Sequence, residues 1–133
     1  MDELIEALEK GAISQSVEVE PCSDDDLVEI EEEILLPIPP SMKEFLLSAS
    51  HFVYGSLEPV TAHDPQLHTH LPEVTAQAWA DGLERDFIPL CQIGMGYYCV
   101  NQDGEVILWQ DGEFTDEAWE DVWDWTEDVW LNS

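Results

Sequence analysis

The sequence predicts an α+β fold: a mixed, mostly antiparallel sheet with a central three-strand meander, covered by helices. Three observations carry this prediction. Residues 88–93, 97–100 and 106–109 form short apolar runs rich in β-branched and aromatic side chains. Such runs suit strands and are too short for helices. Between them lie Gly94-Met95-Gly96 and Asn101-Gln102-Asp103-Gly104, where glycine and the Asp-Gly pair favour tight turns. Around this block, several stretches repeat apolar residues every three or four positions, the period of an amphipathic helix.

The elements follow in order. Residues 2–10 place Leu4, Ile5 and Leu8 opposite acids and end at Gly11, which predicts a short helix. Ser16-Val17-Glu18-Val19-Glu20 alternates like an edge strand stopped by Pro21. Ser23 opens a second helix. Ser23 and Asp26 have capping-box spacing, with Asp in place of the preferred Glu or Gln. Leu27, Ile30 and Ile34 form its buried stripe, and the helix stops near Leu36 because Pro37 follows.

Pro40 or Ser41 starts a third helix with Met42, Phe45, Leu46 and Ala49 on its apolar face. Residues 52–55 and 57–61 read as extended. Residues 62–70 form a polar loop, and Leu71-Pro72-Glu73 enters a helix that carries Val74, Ala78 and Trp79 to Gly82. After the meander, Asp111-Gly112 turns the chain and Glu113-Phe114 reads as a short fourth strand.

The last predicted helix is capped at Thr115 or Asp116 and runs to Leu131. Trp119, Trp123, Thr126 and Trp130 then share one side, within an apolar arc of roughly 160°. Such a stripe caps a sheet. One or two of its tryptophans, left at the rim, would serve as anchors for a partner.

The chain has 133 residues and reads as a single domain, with residues 1–22 as an N-terminal extension. A chain this long buries roughly two-thirds of its unfolded surface. There are 31 Asp and Glu against three Lys and Arg, a formal charge of −28. Such a surface repels nucleic acid, which requires Lys and Arg to displace counterions. It repels anionic membrane for the same reason. It attracts basic proteins by speeding encounter. The charge also fits a role in solubility alone.

The cysteines, Cys22, Cys91 and Cys99, are odd in number and lack framework spacing, so no disulfide scaffold is expected. The N-terminus lacks the basic and apolar regions of a signal peptide, and no apolar run approaches a membrane span of roughly 20 residues. A soluble, cytoplasmic protein is expected.

His63-Asp64 and His68-Thr69-His70 offer imidazole and carboxylate, the ligands of zinc, nickel or copper. His63, His68 and His70 are therefore the candidate metal ligands. A loop enforces no geometry on them, and a solvated loop is the simpler expectation. Asp103 lacks the alternating acids of a calcium loop. There is no phosphate-binding glycine loop, nucleophile elbow or zinc-binding helix motif. No catalytic residue and no cofactor are expected.

The order of motifs is similar to that of the SUKH superfamily. An acidic helix leads into Leu36-Pro37, and a helix with Phe45-Leu46-Leu47 follows. Ile88-Pro89, Gly94-x-Gly96-Tyr97-Tyr98 and Asp103-Gly104-Glu105-Val106, ending in Trp109, come later. The likeness runs from about Leu27 to Trp125. It departs at Ser48–Gly55, which replaces the usual Asn-Gly, and in a final helix unusually rich in Trp and acid.

The superfamily includes Smi/Knr-type cell-wall regulators and many bacterial immunity proteins. The resemblance implies a non-enzymatic binding domain, and for many bacterial members the target is a secreted toxin, often a nuclease. A basic protein partner such as a nuclease toxin is thus expected, with an intracellular regulatory or scaffold module as the alternative. A metal protein or enzyme using the histidine loop is the third reading. Candidate partner contacts are Asp111, Glu113, Glu120, Asp124 and Glu127.

Overall fold

The computed structural model describes residues 2–12 and 21–133. The elements are α1 (Asp2–Gly11), α2 (Asp24–Ile34), α3 (Pro40–Ser48), α4 (Leu71–Ala80), β1 (Ile88–Ile93), β2 (Gly96–Val100), β3 (Val106–Gln110), β4 (Glu113–Trp119) and α5 (Val122–Trp125). A π-helical turn, Thr126–Trp130, continues α5. The fold is α+β, as expected. The strands are antiparallel neighbours in the order β1-β2-β3-β4. Among the described residues, the parallel contribution is one bridge outside this sheet, Thr61 to His70.

The turns explain the meander. Asn101 Oδ1 accepts from the backbone N–H groups of Asp103 and Glu105, each at 3.0 Å, while Gly104 takes φ +89°. This ties β2 to β3 through side-chain turn chemistry. Asp111 and Gly112 both have positive φ, at 54° and 80°, as a two-residue hairpin turn between β3 and β4 requires. Gly96 is needed for a different reason. A Cβ there would lie 2.5 Å from the Trp109 carbonyl oxygen of the neighbouring strand.

Strand alternation sends neighbouring side chains to two cores. On β2, Tyr98 and Val100 enter the larger core with α2, α3 and α5. Tyr97 and Cys99 enter a smaller one with Ala78, Leu83, Phe87 and Trp109. Tyr97 and Tyr98 therefore lie on opposite faces, and both are buried. The Tyr97 hydroxyl donates to Asp81 at 3.1 Å, and burial pushes its pKa up to about 12.

Phe45 of α3 sits at the aromatic centre of the larger core. Its ring lies 5.9, 6.4 and 5.6 Å from those of Trp123, Trp125 and Trp130. A buried aromatic side chain removes about 150–250 Å² from water, worth a few kcal/mol at about 25 cal/mol per Å². Leu8 of α1 is also fully buried in this core.

The capping box of α2 forms with Asp. Ser23 Oγ accepts from the Asp26 N–H at 3.3 Å, and Asp26 accepts from the Ser23 N–H at 2.9 Å. The segments at 52–55 and 57–61 carry isolated bridges, Tyr54 to Leu57 and Pro59 to Cys91, rather than strands. The edge strand expected at residues 16–20 lies outside the described residues.

The long last helix is the main correction. Residues 113–119 continue as β4, and the helix begins only after Asp121, whose carboxylate accepts from the Asp124 N–H at 2.8 Å. The chain is already paired across β3, with Val106 opposite Trp119 and Ile107 opposite Ala118. That pairing displaces the predicted first turns of the helix. Of the four tryptophans expected on one helix, Trp119 therefore belongs to the strand.

Candidate functional site: an acidic hollow beside Trp119

This displacement creates the most chemically distinctive surface of the chain. A shallow hollow of about 680 Å³ opens where β4 ends and the π-helical turn passes it. It is lined by Ala118, Trp119, Asp124, Glu127, Asp128 and Asn132. Three carboxylates thus share one concavity with an indole. Trp123, Trp125 and Trp130 are buried, whereas Trp119 is half-buried and reaches the rim.

Local structure fixes each side chain. Trp119 Nε1 donates to Asp128 Oδ2 at 2.8 Å. Its ring stands edge-on to Tyr98 at 5.5 Å, so the core holds one side of the indole. Asp124 Oδ2 accepts from the Glu120 backbone N–H at 3.3 Å. Asn132 donates to the Asp128 carbonyl at 2.8 Å and the Glu127 carbonyl at 3.4 Å, closing the open carbonyl end of the turn. The π-helical turn itself is held by the Leu131 N–H on the Thr126 carbonyl at 2.9 Å.

The structure brings Asp124 and Glu127 together here, with Glu120 adjoining them in the connection before α5. Asp111 and Glu113 lie at the other end of the β3–β4 hairpin, about 20 Å away at strand rise. They are exposed, but they do not share the hollow. Sequence reasoning placed Trp119 on a helix instead of at the end of a strand, and it did not single out Asp128 and Asn132 beside it. The Asp121-x-x-Asp124 spacing was the available signal, because an N-cap there starts the helix five residues after Asp116.

The polar loop uses its histidines separately. His63 Nδ1 lies 2.9 Å from Asp26, while His68 Nε2 lies 2.8 Å from Glu58. His70 occupies the N-cap position of α4. The His63 hydrogen bond holds the Asp26 carboxyl below its ordinary range. Among the described residues, no three His, Cys, Asp or Glu side chains converge as metal ligands. The cysteines are free and buried. Burial pushes the Cys22 thiol up to about 11 and those of Cys91 and Cys99 to about 12, which keeps them protonated and unreactive at neutral pH. Among the described residues, no helix is long and apolar enough to cross a membrane.

Fold and surface together define a small α+β domain with an acidic hollow at the end of its sheet. The family model described as SMI1-KNR4 cell-wall, SUKH_5, matches residues 1–131, and the chain belongs to this SUKH family. A crystal structure of a protein from Pseudomonas syringae pv. tomato is similar over 100% of both chains, with 53% identity and a TM-score of 0.97. No curated protein matches the chain.

Proposed function

We propose that this SUKH domain is a non-enzymatic binding module that captures a basic protein through the hollow beside Trp119. The carrying observation is the joining of Asp124, Glu127 and Asp128 to a rim-exposed indole in one concavity. Tryptophan is enriched among the residues that dominate interface energetics, and carboxylates around it select a cationic partner. The −28 charge speeds the encounter. A toxin-neutralising role fits these properties, since a nuclease's substrate groove is basic. The partner would be met in the cytoplasm, where the toxin acts.

A pull-down in low and high salt tests this reading. The expected result is a basic partner retained in low salt and released in high salt, with retention lost in W119A. Failure to retain any basic protein in low salt would contradict it.

The cell-wall wording of the matched family favours a second reading, an intracellular regulatory module without a toxin partner. Gene context separates the two. A toxin gene beside this one supports the first, and an isolated gene supports the second.

A further inference from the structure

We propose that the hollow between α2 and α4 is a separate recognition site that receives one arginine or lysine side chain of a partner protein. The hollow measures about 270 Å³, and Glu33, Ile34, Glu73, Thr75 and Trp79 line it. Glu33 comes from α2 and Glu73 from α4, so two elements aim negative charge at one space. Neither glutamate's carboxylate has a hydrogen bond or ion pair among the described residues. Ile34 and Trp79 supply apolar walls for the aliphatic stem of a long cationic side chain.

Beyond the two carboxylates, one buried group lacks a hydrogen-bond partner. Thr75 is fully buried, and its hydroxyl has no partner among the described residues. A helical threonine ordinarily bonds back to the carbonyl four residues earlier. Thr126 does so here, to Val122 at 2.8 Å, but Thr75 does not. Guanidinium and ammonium groups are pure donors and match a hydroxyl and two carboxylates that need them. The Trp79 ring already holds the chain's own Arg85 guanidinium, with Cζ 5.3 Å from its centroid, so it serves the hollow as an apolar wall and not as a cation-binding face. An anion would be repelled by the two glutamates, and a neutral apolar group would leave them unmatched.

The test titrates the ¹⁵N-labelled chain with acetyl-Gly-Arg-Gly-amide, its lysine and citrulline counterparts, and free arginine. The expected result is saturable shifts at the Thr75 and Ala76 amides and the Trp79 indole N–H. E33Q/E73Q should weaken binding about tenfold, and neutral citrulline should bind about tenfold more weakly than arginine. T75V should weaken it by about threefold. Both glutamates are exposed, so their double variant keeps the fold. D124N/E127Q/D128N should leave this binding unchanged, which separates this site from the hollow at Trp119. Shifts scattered over the acidic surface, unchanged affinity in E33Q/E73Q, or free arginine bound as tightly as the peptide would overturn the proposal.

Discussion

Trp119 and Asp128 join the last strand to the turn that follows it, through an indole N–H donated to a carboxylate oxygen at 2.8 Å. The bond holds the indole at the rim of the acidic hollow. D128A removes the acceptor and is expected to cost about 1 kcal/mol, because the pair is exposed and the donor is neutral. Urea unfolding of D128A against the parent chain measures this. D128N retains an acceptor oxygen and should cost less, although it removes the charge that the proposed partner would meet.

Phe45 is the position where the core is most sensitive. Its ring touches three tryptophans and is fully buried. Phe45→Ala leaves a cavity between rigid rings that cannot collapse into it. A loss of about 3–5 kcal/mol is expected from denaturant unfolding. F45L should recover more than half of it.

The α2 capping box gives a smaller, pH-dependent effect. Ser23→Ala should cost about 1 kcal/mol. Asp26 has a folded pKa below its ordinary value, chiefly because His63 bonds to it. A depressed carboxyl contributes stability that is complete above its unfolded pKa and lost as pH falls through the folded value. The stability difference between the parent and D26N should therefore shrink in that acid window. Parallel unfolding curves at neutral and acid pH check it.

His51 works on the neutral side. Burial lowers its pKa, opposed by Glu9 of α1, and its Nδ1 has no partner. The unfolded chain then binds the proton more readily than the folded one. The neutral ring's contribution is present above the unfolded pKa of about 6.5 and is lost as pH falls from there through the lowered folded value. H51Q should flatten the slope of stability against pH in that window. Thermal unfolding of both chains across mildly acid pH measures the difference.

Much of the fold was legible in the sequence because local chemistry and tertiary packing agree there. The meander at 88–110 is specified by short apolar runs and glycine turns, and α2 by Ser23, Asp26 and the stripe Leu27, Ile30 and Ile34. The failure at 113–121 has a physical cause. Trp119, Trp123 and Trp130 satisfy a helical period, but residues 113–119 can also pair with β3, and long-range pairing won. Periodicity cannot see a partner strand.

The site suffered from that error more than the fold did. Asp124 and Glu127 were named from their expected exposure and do meet in the hollow. Asp111 and Glu113 were named on the same ground and stand at the far hairpin tip. Which acids share a concavity depends on where β4 ends. That boundary was misplaced, so the grouping was out of reach.

The central claim is that the charge works at the Trp119 hollow rather than over the whole surface. The direct measurement is the affinity of the retained basic partner for D124N/E127Q/D128N and for D111N/E113Q, each at low and high salt. The hollow variant should weaken binding about a hundredfold in low salt, and the tip variant should change it by less than about threefold. Equal losses per charge removed in the two variants would contradict the account and leave the acidity as a general property of the surface.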